Sequence, residues 1–257
     1  MSARSPFAER QAGELPFVWA HRGASALAPE NTIAAFALAG ELGADGIELD
    51  VQLDADGTAV VCHEPHLFAT PDGLHLRDPG GGRPVAVAHL DTATLTSGVV
   101  FPDGSRHRIA RFDEALEAIP AAMWLDVELK AGGAYDPRLS EAVAGALAAR
   151  GERTLFSSFD HVVLAELAHL APQIPRAVLC DARLVDPSVV LAPLGSTMLN
   201  LRRANCTASD VTAWRAAGIA VCLYGAEVTF DLAEVCGWPV SGLFLDDPRL
   251  EAHLAER

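Results

Sequence analysis

Nine short runs rich in β-branched, aromatic and other apolar residues punctuate this chain, and Ala/Leu-rich stretches of helical period separate most of them. The runs are Phe17–His21, Gly46–Leu53, Thr58–His63, Met123–Lys130, Thr154–Phe159, Arg176–Cys180, Thr197–Leu201, Ala220–Tyr224 and Leu243–Asp246. Helices are expected at Thr32–Leu42, Phe112–Ala118, Arg138–Ala149, His161–Leu170, Ala208–Ala217 and Phe230–Cys236. Such alternation implies a parallel sheet with helical crossovers. One gap breaks the rule. Between the second and third runs stand only Asp54-Ala55-Asp56-Gly57, too few for a parallel crossover but suited to a hairpin. With Thr58–His63 as an antiparallel return strand, eight parallel strands remain. A chain of 257 residues also has the usual length of a (β/α)8 TIM barrel. The expected fold is therefore an α/β TIM barrel in a single domain, 1–257, with an extra β-hairpin after the second barrel strand.

The interval 64–108 departs from this rhythm. It is rich in Gly, Pro, Asp and His and weakly periodic, as in Pro79-Gly80-Gly81-Gly82-Arg83-Pro84. Long segments of this kind are usually insertions or lids. Following His63, this one is expected over the active face.

A net charge of −15 argues against nucleic-acid binding, which needs a basic footprint. It also repels anionic ligands at long range, so a phosphate site would need cations placed locally. Five cysteines without paired spacing read as small buried hydrophobes in a reducing compartment. The first residues lack an apolar signal core, and no run approaches the ~18 apolar residues of a membrane span. A cytoplasmic protein without a membrane span is expected.

The chemistry concentrates in the first quarter of the chain and on one later strand. Glu48 and Asp50 are two residues apart, so they share a strand face. Glu128, with Asp126 on the same face, lies on the next barrel strand. Three carboxylates at one rim would repel strongly unless a cation joined them, and all-oxygen ligation suits Mg²⁺ or Ca²⁺. His21 and His63 each end a strand and can serve as acid and base. A hairpin register with Leu53 opposite Thr58 would set Asp50 near Val61 and Glu48 near His63. Arg22 and Lys130 supply the local positive charge, so the expected ligand is an anionic tetrahedral group. Pro29-Glu30-Asn31-Thr32 reads at least as well as a turn opening the first helix as it does as direct chemistry.

In this order, His21-Arg22-Gly23, Pro29-Glu30-Asn31-Thr32, Gly43-Ala44-Asp45, Glu48-Leu49-Asp50-Val51, Asp56-Gly57, Val60-Val61-Cys62-His63 and Glu128-Leu129-Lys130 resemble the glycerophosphodiester phosphodiesterase family. Ser158-Phe159-Asp160 and Gly242–Pro248 continue the resemblance more weakly. The resemblance implies a metal-dependent barrel enzyme that cleaves small-molecule glycerophosphodiesters to glycerol 3-phosphate and an alcohol, through a cyclic phosphate opened by water. By position it makes His21 and His63 the acid/base pair. Glu48, Asp50 and Glu128 become ligands of one divalent cation, with Arg22 and Lys130 on the substrate phosphate. The chain departs from the family pattern at Glu64, usually Asp, and at Leu245, usually Thr. It also has Leu223-Tyr224-Gly225-Ala226 where the family shows a Trp-Thr-Val-Asn-like run. Leu223 and Tyr224 are thus expected in an altered leaving-group pocket. Competing readings are a phospholipase D-like or cyclising activity on lysolipids, favoured by an exposed apolar face in 64–108, and a non-catalytic phosphate-binding barrel.

Overall fold

Eight parallel strands close into a barrel in the computed structural model of the chain, which describes residues 6–7, 15–131, 136–148, 150, 153–226 and 232–255. In chain order the described strands begin with β1 (Phe17–His21), β2 (Gly46–Leu53) and β3 (Ala59–Val61). A second group follows: β4 (His66–Thr70), β5 (Gly73–His75), β6 (Arg83–Ala86), β7 (Val99–Val100) and β8 (Arg106–His107). The remaining barrel strands are β9 (Trp124–Leu129), β10 (Thr154–Ser158), β11 (Arg176–Cys180), β12 (Met198–Arg202), β13 (Ala220–Tyr224) and β14 (Gly242–Leu245). Around the barrel the order is β1, β2, β9, β10, β11, β12, β13, β14, and β14 pairs back onto β1. The expected strand positions hold, with ends shifted by a few residues at most.

Strict alternation along the strands divides the barrel into two cores. Odd-numbered residues of β2 and β9 (Ile47, Leu49, Val51, Leu125, Val127, Leu129) face outward and pack under the helices, with Val221, Leu223 and Leu245 beside them. Phe17, Trp19, Trp124, Leu155, Met198, Cys222 and Phe244 form the inner core. The Trp19 ring fits because Gly46 faces it: a Cβ there would lie 2.6 Å from the ring. Higher along the same inner faces the side chains turn polar, with Glu48, Asp50, Asp126, Glu128 and Asn200 all buried. The barrel is thus plugged by hydrocarbon below and lined by carboxylates above.

The hairpin forms, but its register differs by one residue from the expected one. Val51 lies opposite Val61 and Leu53 opposite Ala59. The Asp54 N–H donates to the Thr58 carbonyl at 3.0 Å, so the loop is the three residues Ala55-Asp56-Gly57. Asp54 Oδ1 accepts from the N–H groups of Asp56 and Thr58, at 2.9 and 2.8 Å, and Gly57 takes the left-handed conformation, φ +78°. That is the three-residue loop closed by a glycine. As a result Asp50 pairs with Cys62, whose N–H donates to the Asp50 carbonyl at 3.0 Å, and His63 leaves the ladder.

Residues 64–108 are more ordered than their composition suggests. They form a five-stranded sheet, β6-β4-β5-β7-β8, with a helix at Thr92–Ser97. Leu67, Leu76, Val87, Leu95, Val99 and Phe101 make a separate core, completed by Val60 and Cys62 of the hairpin. Strands of two to five residues are too short to show periodicity in sequence.

Helices sit near the expected positions. Thr32 caps Ile33–Glu41 by accepting the Ala35 N–H at 3.2 Å. Pro137–Leu147 and Leu232–Cys236 stand where Arg138–Ala149 and Phe230–Cys236 were expected, and Ala149 and Phe230 lie outside the described residues. All five cysteines are unpaired thiols. Among the described residues no helix is long and apolar enough to cross a membrane.

Candidate active site

Strand pairing assembles the site. The β1–β2 register sets His21 beside Glu48, and the β2–β9 register sets Asp50 beside Glu128. Oxygens of Glu48, Asp50 and Glu128 all lie within 4.8 Å of one another, and the three side chains are buried. Asp126, one step lower on β9, does not join them. It accepts hydrogen bonds from Ser157 Oγ at 2.6 Å and Asn200 Nδ2 at 3.3 Å, while burial pushes its carboxyl up to about 8.

Two residues in left-handed backbone conformations frame the carboxylates. Arg22 (φ +58°) donates its backbone N–H to Glu48 Oε2 at 2.9 Å. Its guanidinium reaches Glu30 at 2.8 Å and Asp50 at 3.3 Å. Asn31 (φ +57°) donates its N–H to the Arg22 carbonyl at 3.0 Å, and its side chain holds Asp50. Non-glycine residues in this region carry strain, which clusters at functional sites. Lys130 completes the frame, 2.9 Å from Asp50 Oδ1 and in contact with Glu128. Arg22 and Lys130, expected on a substrate phosphate, are thus also ion-paired to the carboxylates.

The titration behaviour follows from burial and neighbours. Burial, with Asp50 and Glu128 nearby, pushes the Glu48 carboxyl well above its ordinary value. Burial would do the same to Asp50, yet Lys130 and Arg22 outweigh it and hold this carboxyl low. Glu128 is raised by burial and by Asp50. Burial opposes the charge on Lys130, but Asp50 and Glu128 more than compensate and raise its pKa.

Three carboxylates thus face two cations; Asp50 Oδ1 is met by Lys130, but one oxygen of Glu48 is met by neither. Glu48 Oε1 has no hydrogen-bond partner among the described residues. A buried all-oxygen donor set with an unmatched lone pair fits a hard divalent cation. A second acidic cluster, Glu30 with His63 and Glu64, does not ask for one. Arg77 already bridges Glu30 at 3.0 Å and Glu64 at 3.3 Å, making that cluster an ion-pair network at the rim.

Each histidine is held at Nδ1 by a carboxylate. His21 lies 2.6 Å from Asp246 Oδ1, which Ser25 Oγ also contacts at 3.1 Å. His63 lies 3.3 Å from Glu64. The Gln52 amide straddles the His63 backbone, donating to the Cys62 carbonyl at 2.7 Å and the Glu64 carbonyl at 3.0 Å. A carboxylate on Nδ1 fixes the imidazole orientation and leaves Nε2 for other work.

These groups line a cavity of about 460 Å³ at the C-terminal ends of the strands, where barrel enzymes place their chemistry. Its far wall is Phe159, Leu179, Arg202 and Tyr224, and none of the lining residues comes from 66–108. Leu223 is not part of that wall. It is fully buried in the outer core, because alternation on β13 turns Tyr224 inward and Leu223 toward the helices. The wall is nonetheless aromatic, since Phe159 meets Tyr224 edge to face at 6.2 Å. Asn31 and Asp246 stand in motifs that the sequence shows without assigning them a role, while Gln52 and Arg202 are site residues outside those motifs. Gln52 is in phase with Glu48 and Asp50, as Arg202 is with the inward-facing Met198 and Asn200.

The sequence model of the glycerophosphoryl diester phosphodiesterase family matches residues 21–250, from the first site histidine to the last helix. The chain belongs to this family. A glycerophosphodiester phosphodiesterase of Caldanaerobacter subterraneus subsp. tengcongensis is 31% identical to this phosphodiesterase over 93% of the present chain and 98% of its own. Among solved structures, an Oleispira antarctica phosphodiesterase in complex with the product sn-glycerol-3-phosphate matches with a TM-score of 0.77 and 26% identity, covering 94% of this chain and 97% of that one. A glycerophosphodiester phosphodiesterase of Agrobacterium tumefaciens matches with a TM-score of 0.71 and 28% identity, covering 93% and 100%.

Proposed function

We propose that this phosphodiesterase hydrolyses soluble glycerophosphodiesters to glycerol 3-phosphate and an alcohol, with His21 and His63 as the acid/base pair. Glu48, Asp50 and Glu128 would hold one divalent cation, Mg²⁺ or Ca²⁺. The observation that carries this reading is the convergence of three buried carboxylates beside two imidazoles that are each held by a carboxylate. When bound, the cation supplies positive charge against the phosphate and makes a nearby hydroxyl more acidic. Arg22 and Lys130 touch the carboxylates on one side and line the cavity on the other, so phosphate oxygens complete their coordination.

One imidazole takes the proton of a glycerol hydroxyl as its oxygen attacks phosphorus, and the other protonates the departing alcohol as its P–O bond breaks. The cyclic phosphate then opens by the reverse proton traffic: water loses a proton to one ring and the ring-opened oxygen gains one. Asp246 and Glu64 stabilise whichever imidazole carries the positive charge. The chain would act as one catalytic unit, with the small sheet of 64–108 braced on the rim through Arg77. A soluble head-group ester is favoured over a lysolipid, since Leu67 and Leu76 are buried in that small core and offer no apolar face.

The test is release of the head-group alcohol, with glycerol 3-phosphate from glycerophospho-choline, -ethanolamine, -glycerol and -inositol and with lysophosphatidate from lysophospholipids, in Mg²⁺, in Ca²⁺ and after chelation. Ion-dependent turnover of the soluble esters supports the reading. Preference for lysolipids, or turnover untouched by exhaustive chelation, refutes it.

A further inference from the structure

Directly across the barrel from the carboxylates of β2 stands β12, four strands away in either direction. Its last residue, Arg202, lines the same cavity as the site histidines. A diester whose phosphate lies at Glu48, Asp50 and Glu128 would direct one of its two alcohols toward this wall. The guanidinium there is pinned: Nε donates to Asp181 Oδ1 at 2.8 Å, and Asn205 Nδ2 donates to the same oxygen at 3.0 Å. Its carbon lies 5.7 Å from the centre of the Tyr224 ring, within cation–π range. Tyr224 is itself fixed, donating its hydroxyl to the Cys180 carbonyl at 3.1 Å and meeting the edge of Phe159.

We infer that Arg202 on Tyr224 selects a polyhydroxylated, uncharged leaving alcohol, of the glycerol or inositol class, over a cationic one such as choline. This inference rests on the phosphodiesterase reading above. A quaternary ammonium is recognised by open aromatic faces, and here a guanidinium already lies over the Tyr224 ring. The N–H groups not used by Asp181 suit hydroxyl oxygens, for which Arg carries donors in a fixed fork. Asp181 keeps the guanidinium from turning away.

The experiment compares kcat/KM for glycerophosphoglycerol, glycerophosphoinositol and glycerophosphocholine in the wild type, in Arg202→Met and in Arg202→Lys. The wild type is expected to favour the polyol esters by about tenfold, the scale set by a single well-placed interaction. Arg202→Met, which removes the charge at similar length, should erase most of that preference, mainly through KM, while glycerol 3-phosphate is still released. Arg202→Lys should keep its direction. A wild type that turns over the choline ester as well as the polyols overturns the inference, as does an unchanged ratio in folded Arg202→Met. Absence of glycerol 3-phosphate from all three esters would instead bring down the phosphodiesterase reading and the inference with it.

Discussion

Asn31 and Asp50 are joined twice across 19 residues of sequence: the Asn31 amide donates to Asp50 Oδ2 at 2.8 Å, and its carbonyl accepts the Asp50 backbone N–H at 3.3 Å. One side chain therefore orients both the carboxylate and the strand that carries it. Asn31→Gly tests this cleanly, because glycine tolerates the left-handed backbone at that position while removing the amide. Divalent-ion affinity should fall by about 10- to 100-fold, the usual cost of losing a partner that orients a ligand. Titration calorimetry checks it, with circular dichroism confirming the fold. Unchanged affinity would show that Asn31 only shapes the turn.

Metal binding should show in stability as well as in turnover. The folded chain gathers Glu48, Asp50 and Glu128, and the unfolded chain does not, so an ion at 100 times its Kd should add about 2.7 kcal/mol. Glu128→Gln removes one negative charge at nearly constant shape and should shrink that gain without unfolding the barrel. The readout is thermal midpoint against ion concentration, and equal shifts in both proteins would count against Glu128 as a ligand.

His21→Ala and His63→Ala should each lower kcat by ~10²–10⁴, as for removal of a general acid or base. Both rings sit at the cavity and are partly exposed, so the fold should tolerate the change. Steady-state kinetics decide it; near wild-type turnover in either variant removes that residue from the mechanism.

The two neighbours at the end of β13 should behave oppositely. Leu223→Trp forces a larger ring into a filled outer core and should cost about 1–3 kcal/mol by overpacking. Tyr224→Leu alters the cavity wall and should change substrate preference with a smaller stability loss. Urea unfolding and a head-group panel separate the effects, and the reverse pattern would contradict the strand's orientation.

Asp246 gives a pH test. Burial alone would raise its carboxyl, but the His21 contact and the Ser25 hydrogen bond hold it below the ordinary value. A carboxyl depressed in the folded state adds stability above its unfolded pKa of roughly 4 and loses it as pH falls through the lower folded value. Asp246→Asn should thus be less stable than wild type at neutral pH, with the gap closing below about pH 4. Thermal midpoints of both proteins across pH measure it; a gap that widens in acid would mean that Asp246 is not ionised in the folded protein.

Much of this protein was legible in its sequence, because strand period and crossover length are local properties. Nine apolar runs and one gap too short for a crossover determined an eight-stranded barrel with a hairpin, and alternation alone put Glu48 and Asp50 on one face. The short strands of 64–108 were not legible because two to five residues carry no period. Other features were decided by tertiary structure, where distant segments meet. The hairpin register turned on how Asp54 closes its loop, which no pattern of hydrophobicity records. Which of Leu223 and Tyr224 faces the cavity depended on the phase of β13 within the closed barrel. That Arg22 and Lys130 neutralise Asp50, and that Asn31 holds it, required three separate segments to be brought into one buried space. Charges in such a space interact strongly because water is excluded from it, and that exclusion is a property of the folded barrel and not of any segment within it.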